Sequence, residues 1–343
     1  MQAVILAAGK STRTHPLTLT RPKPLLKVAN RALLEHNLEN LKDFVDEAVI
    51  IVGYKENLIK KLLGNRYKNL KIKYVGQKQQ LGTGNALLAA ENHIKDEFVS
   101  LHGDDIYSRD DFRNILKNKY SILVKKVGNP GAFGVLIEKK GVLVDLIEKP
   151  QKPVSNLVNA GLYKLDRGIF TILKKLKKSK RNEYELTDAI LALAKEKNVC
   201  CVHAKGWIPI GYPWDLLKAD RILRKNRNRI GKGSKISGNV VNSSIGDGCT
   251  IKGNVKNSIM MDKSIIDKNS VVEDSVIGEN VYFKGRIISK KDVFSVAKGK
   301  RIKVGRFGAV IGDNSRLINV NIKAGCKISP GKTIKGRAIA HDV

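Results

Sequence analysis

Leu6-Ala7-Ala8-Gly9-Lys10-Ser11-Thr12-Arg13-Thr14-His15-Pro16-Leu17, with Arg21-Pro22-Lys23-Pro24-Leu25 close behind, opens on the last residue of a short apolar run, Ala3-Val4-Ile5-Leu6. That run reads as a buried strand. The small residues after it let backbone approach something bulky, and two cations, Arg13 and Lys23, stand at either end of the loop. Oriented N–H groups with fixed positive charge make a phosphate cradle in outline. It is not a Walker A loop, because Val4 stands where that motif needs its first glycine. Nor is it the dinucleotide fingerprint, because Ser11 and Thr14 occupy its second and third glycine positions.

Working outward, apolar runs alternate with helical patterns. Ala32–Leu41 is spaced as a helix, Ala48–Gly53 as a buried strand, Leu58–Gly64 as a helix with a glycine stop, and Leu70–Val75 as a strand. Thr83 to Ile94 reads as a further helix and Phe98–His102 as a further strand. Such alternation predicts an α/β, Rossmann-like, mostly parallel sheet that binds ligands beyond the carboxyl ends of its strands. Gln77–Gly84 follows one strand, and Gly103-Asp104-Asp105 follows the next. A carboxylate at a strand end near a phosphate cradle suits Mg²⁺, which takes one or two carboxylates plus phosphate oxygens. Farther on, Phe133–Glu138 and Val142–Pro150 read as a hairpin around Lys139-Lys140-Gly141. The apolar run Leu157–Tyr163 carries Asn159 and Gly161 as interruptions, and a glycine there marks a close approach.

The chain has 343 residues, 42% of them hydrophobic, which is enough for two domains with separate cores. No run approaches the length of a membrane span, and the N-terminus is strand-like rather than a signal peptide. Its four cysteines, Cys200, Cys201, Cys249 and Cys326, lack metal-ligand spacing, and a reduced cytoplasmic protein is the plain expectation. The net charge of +32 invites a nucleic-acid reading. The lysines, however, are spread along the whole chain without interleaved aromatics, so a solvated basic surface is expected and no nucleic-acid partner.

Taken together, "LAAGKSTRTHPLTLTRPKPLL", "QLGTGNA", "HGDD", "FGV", "LIEKP", "VNAGLY", "NEYELTD" and "PWDLLKAD" occur in an order that resembles the sugar-1-phosphate nucleotidylyltransferases, over residues 1 to about 225. The resemblance implies attack of a sugar phosphate on the α-phosphorus of a nucleoside triphosphate, with pyrophosphate leaving. The attacking oxygen is already ionised, so no catalytic serine or histidine is needed, and catalysis is positioning plus charge neutralisation. It further implies Arg13 and Lys23 as catalytic residues and nucleotide binding by Leu6, Ala8, Gly9, Ser11, Gln77, Gly82 and Thr83. Asp104 would hold Mg²⁺, and Gly134, Glu148, Lys149, Asn159 and Gly161 would bind the sugar phosphate. "GQKQQLGTGNA" is similar to the base-reading stretch of N-acetylglucosamine-1-phosphate uridylyltransferases, which favours UTP or dTTP, since a glutamine amide offers both donor and acceptor.

Two positions depart from the pattern. Ser11 replaces the second glycine of the loop, which a negative φ would allow. Pro209 stands where many relatives carry a second metal-binding Asp; Asp215 is the nearest candidate substitute, although a helix N-terminal carboxylate is its expected role. A catalytically weak regulatory or structural subunit therefore stays open as an alternative.

From Ile230 the sequence changes character. Units starting at Ile230, Ile236, Ile245, Ile251, Ile265, Val271 and Ile277 place an aliphatic residue at the start and Gly, Asn or Asp at the corners. This is the hexapeptide pattern of a left-handed parallel β-helix. It lapses over 284–303 and resumes at Val310. Two domains are expected, a nucleotidyltransferase over 1–225 and the β-helix over 230–343, with assembly as a trimer-based homo-oligomer. In bifunctional relatives such a domain transfers an acetyl group with a histidine as base. Here His341 is the only histidine after His203, so the domain reads as scaffold, oligomeriser or allosteric module.

Overall fold

The N-terminal run becomes the strand Gln2–Leu6, buried along its whole length. A computed structural model describes residues 1–343. The chain folds as two units, Met1–Gly9 with Leu34–Pro209, and Lys10–Leu33 with Ile210–Val343. No helix in either is long and apolar enough to cross a membrane.

In the first unit Gln2–Leu6 lies parallel to Glu47–Val52 on one side and to Phe98–His102 on the other, and Leu70–Gly76 extends the sheet beyond Glu47–Val52. This is the parallel half that the alternation predicts. Beyond Phe98–His102 the sheet turns mixed. Leu157–Leu165 runs antiparallel between Phe98–His102 and Ser121–Lys126, and the hairpin Gly134–Lys139/Val142–Glu148 forms the far edge. The hairpin turns through Lys140 and Gly141, whose φ values of 51° and 75° are those of a type I′ turn. The helix expected over Thr83 to Ile94 ends at Leu88, and a separate 3₁₀ turn follows at Glu91–His93. Val4, Phe98, Ile122, Leu136, Tyr163, Phe170 and Ile190 are among the side chains of one continuous core on the sheet.

The second unit contains a parallel β-helix. Ile245, Met260, Ile277 and Ile311 pair in sequence along one face. Ile251, Ile266, Phe283 and Leu317 do so along a second, and Val255, Val272, Ile287 and Ile322 along a third. All twelve side chains are buried. The phase of the third coil differs by one residue from the sequence expectation. Ile266 and Val272 point inward, whereas Ile265 is exposed and Val271 only half-buried. Ile230 and Ile236, in the first coil, are exposed as well. The interruption starts later than the expected 284–303: Tyr282–Ile287 still belongs to a coil, and the antiparallel hairpin Lys290–Ala297/Lys300–Phe307 is inserted after it.

Corners take Asn and Asp because the chain turns there with positive φ: 49° at Asn242, 50° at Asn257 and 42° at Asp274. Beside these corners runs a ladder of buried serines. Ser243 Oγ accepts the N–H of Ser258 at 3.0 Å, Ser258 Oγ that of Ser275 at 3.1 Å, and Ser275 Oγ that of Ala309 at 3.0 Å. Each coil thereby satisfies a backbone donor of the next, which burial would otherwise leave unpaired.

Coil stacking leaves no room at Gly253, where an added Cβ would lie 2.5 Å from the Ser270 carbonyl oxygen and 2.8 Å from that of Asp267. Gly253→Ala is expected to lower the unfolding free energy by about 1–3 kcal/mol. Thermal or urea denaturation measures it, and an unchanged midpoint would contradict this close stacking.

Candidate functional site

In the first unit the chain leaves Leu6 under tight backbone control. Ala7 N–H donates to the Ile51 carbonyl and Gly103 N–H to the Leu6 carbonyl, both at 2.9 Å. The Ala8 carbonyl accepts from Tyr54 N–H at 3.1 Å and from Gln80 Nε2 at 2.8 Å. Gly9 follows, exposed. Glycine is needed at Gly103, where a Cβ would press on Ile5, the Leu6 carbonyl and Ala7 within 3.0–3.3 Å. This brings the Gly103-Asp104-Asp105 turn against the end of the first strand.

Within that turn Asp105 Oδ2 accepts from Trp207 Nε1 at 3.1 Å. Ile106 and Ile208 exchange backbone hydrogen bonds, so Pro209 falls opposite Asp105 in the same antiparallel register. The buried phenol of Tyr107 titrates far above its usual range because of burial first and the negative charges of Asp105 and Asp104 second. Its hydroxyl donates to the carbonyls of Ala160 and Gly161, tying the acidic turn to the interrupted strand. At that interruption the register shifts between Asn159 and Tyr163. Asn159 Oδ1 accepts from Gly161 N–H at 2.9 Å, and Asn159 Nδ2 donates to Tyr163 Oη at 2.6 Å. Gly161 has φ 73°, and a Cβ there would fall 2.5 Å from His102 Nδ1.

The segment Gln77–Thr83 is equally constrained. Gln77 Nε2 donates to Asn85 Oδ1 at 2.8 Å and to the Gly82 carbonyl at 3.3 Å, which fixes the amide with Oε1 as its remaining acceptor. Gly82 has φ 106°, and a Cβ would lie 2.6 Å from the Tyr184 carbonyl oxygen. Thr83 Oγ1 accepts from Leu186 N–H at 3.1 Å. The motifs "QLGTGNA" and "NEYELTD" thus pack together.

On the edge hairpin Gly134 pairs with Glu148, and a Cβ on Gly134 would sit 3.1 Å from Glu148 Oε2. Lys149 has φ 44°, and its ammonium pairs with Glu148 Oε1 at 2.8 Å. Sequence reasoning missed Arg181, which stands among Glu148, Glu183 and Glu185 at 3.1–3.3 Å. In the sequence it is one cation in a charged run, with no signal of its own.

Ser11, Arg13 and Lys23 belong to the second unit. Ser11 has φ 49°, in the left-handed region, so the negative φ that would have made serine easy to accept there is not met. Its carbonyl accepts from Thr14 Oγ1 at 2.7 Å, Thr18 Oγ1 at 2.9 Å and Thr14 N–H at 3.1 Å, and these bonds hold the strained turn. The Arg13 guanidinium lies over the Tyr212 ring, 5.7 Å from its centroid. Tyr212 stacks on Trp214 at 4.9 Å, and Trp214 meets Phe307 edge-on at 5.9 Å. Lys23 is buried and begins the 3₁₀ turn Lys23–Leu25. Asp215 Oδ2 accepts from the N–H groups of Gly211 and Tyr212, both at 2.8 Å, at the start of the helix Asp215–Leu223. Burial pushes its carboxyl pKa up, against those two hydrogen bonds and the charge of Lys23. Asp215 therefore serves the backbone at a helix start.

Residues 2–226 match the nucleotidyl transferase family model. The chain belongs to the nucleotidyl transferase family. Residues 228–316 of this nucleotidyl transferase match the GlmU-like C-terminal hexapeptide family. It is 37% identical to the "Bifunctional protein GlmU" of Methanocaldococcus jannaschii, over 96% of this chain and 92% of that protein. It is 34% identical to the "Bifunctional sugar-1-phosphate nucleotidylyltransferase/acetyltransferase" of Sulfurisphaera tokodaii, over 100% of this chain and 98% of that one. Among solved structures, a UDP-glucose pyrophosphorylase complexed with UDP-glucose superposes with a TM-score of 0.60 at 25% identity, covering 66% of this chain and 99% of that chain.

Left-handed backbone at Ser11 costs a non-glycine residue about 1 kcal/mol or somewhat more. Ser11→Gly keeps all three bonds to the residue 11 carbonyl, so stability is expected to rise by up to about 1 kcal/mol. A lowered unfolding midpoint in this variant would refute the strain.

Proposed function

We propose that the protein transfers a nucleotidyl group from UTP or dTTP to a sugar 1-phosphate, releasing pyrophosphate. The observation that carries this reading is the fixed amide of Gln77. Its Nε2 is committed within the chain, so Oε1 is held as an acceptor for the N3–H of uracil or thymine, with the Gly82 N–H as donor to a ring carbonyl. The family match and the names of the relatives point the same way.

In this reading Arg13 neutralises the triphosphate and the departing pyrophosphate, and Lys23 neutralises the α-phosphate and the entering oxygen. Backbone around Leu6, Ala8, Gly9 and Ser11 cradles phosphates, with Thr83 beside the base. Lys149 exchanges its pairing with Glu148 for the sugar phosphate, while Gly134, Asn159 and Gly161 line the sugar. A P–O bond forms between the sugar phosphate and the α-phosphorus as the α–β bridging bond breaks, so no proton need move. Asp104 is the residue to hold Mg²⁺. One carboxylate at a strand end fits an ion that completes its shell with water and phosphate oxygens. When bound, the ion supplies further charge neutralisation. Pro209 offers no second ligand, and Asp215 is already engaged with backbone.

A second activity in the hexapeptide half is favoured by the relatives' bifunctional names. His341 lines a cleft of 720 Å³ with Lys290, Ser295, Arg301 and Lys323. Acetyl-CoA consumption with an amino sugar phosphate tests it, and none is expected if the β-helix only supports assembly as a trimer.

Pyrophosphate release across nucleoside triphosphates and sugar 1-phosphates, with Mg²⁺, tests the main reading. UTP or dTTP with a hexose 1-phosphate is the expected active pair, and folded protein that turns over no pair would overturn the proposal. Arg13→Ala is expected to lower kcat by roughly 100-fold. Gln77→Leu should act mainly on the KM for the nucleotide, by about tenfold.

A further inference from the structure

The segment Lys10–Leu33, which carries Arg13 and Lys23, is bound to one corner column of the β-helix. Arg21 places its two terminal nitrogens on Glu279 and Asp313. Thr20 Oγ1 donates to Asp313 Oδ2 at 2.5 Å. Lys27 pairs with Asp262 Oδ2. Asn30 Nδ2 donates to the Ile245 carbonyl at 2.6 Å, and Ala29 N–H to Asp220 Oδ1 at 2.8 Å.

The acids come from equivalent places in successive coils. Asp262, Glu279 and Asp313 each lie two residues after Met260, Ile277 and Ile311, which stack along one face. Each aspartate divides its oxygens between two tasks. Asp313 Oδ1 accepts the N–H of Glu279 at 2.8 Å, and Asp262 Oδ1 accepts that of Asp247 at 3.0 Å, so Oδ1 links coil to coil. Oδ2 faces the loop in both. The preceding coil makes space with glycine: a Cβ on Gly246 would be 2.5 Å from Asp262 Oδ1, and one on Gly278 2.4 Å from Asp313 Oδ1. Two cations of the loop, Arg21 and Lys27, thus read the spacing of the β-helix coils.

We propose that Asp262, Glu279 and Asp313 are positioning residues for nucleotidyl transfer: the β-helix sets the geometry of the loop that holds Arg13 and Lys23. Arg21 lies two residues before Lys23, and Arg13 rests on Tyr212, which stacks through Trp214 against Phe307 of the inserted hairpin. Lys23 is thus two residues from an arginine bound by the hexapeptide half, and Arg13 reaches that half through Tyr212 and Trp214. The inference rests on the transfer reaction proposed above, and it gives the hexapeptide half a part in that reaction whether or not it has chemistry of its own.

The test uses full-length Asp262→Asn, Asp313→Asn and the double variant. Asparagine keeps an Oδ1 acceptor for the coil ladder and replaces the charged acceptor that faces Thr20, Arg21 and Lys27 with an Nδ2 donor, so it breaks the contacts to the loop and spares those between coils. The double variant should lose roughly 10- to 100-fold in kcat, the scale of a misplaced reacting group. Its KM for the sugar 1-phosphate should change by less than about threefold, because Lys149, Gly134, Asn159 and Gly161, proposed to bind that substrate, lie outside the loop, and Lys23 acts on its entering oxygen in the transfer step. Arg21→Lys should recover part of the kcat that Arg21→Met loses. Hydrogen exchange at Thr14, His15, Leu25 and Leu26 supplies a readout that needs no turnover, and the double variant should exchange faster there while Ser258 and Ser275 stay protected. Wild-type protein inactive with every substrate pair would sink the transfer reading, and exchange would then still decide the anchoring. Active double variant with kcat within about twofold of wild type would overturn the positioning role. Unchanged exchange in the loop would overturn the anchoring itself.

Discussion

The ion pair between Arg21 and the carboxylates of Asp313 and Glu279 is the interaction on which the placement of the signature loop depends. The excursion Lys10–Leu33 has no long helix or strand of its own; it consists of three 3₁₀ turns and a two-residue strand pair. Such a segment cannot fix itself through local hydrogen bonds, and its order must come from what it touches. Arg21 and Asp313 leave only 11% and 4% of their side chains exposed, a setting in which removing one partner typically costs about 3–5 kcal/mol. The pairing also fixes direction, because a guanidinium binds two carboxylates only in a narrow set of orientations.

A second buried carboxylate extends the same logic. Asp220 is 2% exposed and accepts from Arg224 Nε, Ser244 Oγ and Ala29 N–H at 2.6–2.8 Å. One side chain thereby connects the helix Asp215–Leu223, the first coils and the end of the loop. Neither acid could be replaced by an apolar residue without stranding the donors that converge on it. The β-helix is therefore more than a stack of apolar faces: its corner acids are its recognition surface for the rest of its own unit.

Chemistry in the first unit is arranged by backbone constraint instead of by ion pairs. Gly82, Gly103 and Gly161 each stand where a Cβ would collide with Tyr184, Ile5 or His102. These contacts fix the backbone beyond two strand ends, at Gly82 and Gly103, and inside the strand Leu157–Leu165, at Gly161. The proposed transfer, which works by positioning and charge neutralisation with no covalent intermediate, asks for such rigidity.

The sequence alone determined the class of the first half, because helical and strand periods alternate legibly, and it determined the β-helix, because inward aliphatic residues and left-handed corners recur. It placed Gln77, Gly82, Asp104 and Lys149 at strand ends, since loops after strands are where an α/β sheet binds ligands. Its errors were ones of phase and local geometry. Ile265 and Ile266 are equally apolar, and only coil stacking selects the second; a φ at Ser11 is invisible until the hydroxyls of Thr14 and Thr18 converge on its carbonyl. What only the tertiary structure decided is the allegiance of the signature loop. Arg21 and Asp313 are 292 residues apart, and a pairing at that range leaves no periodicity in the chain, because it depends on coil spacing that exists only once the β-helix has formed.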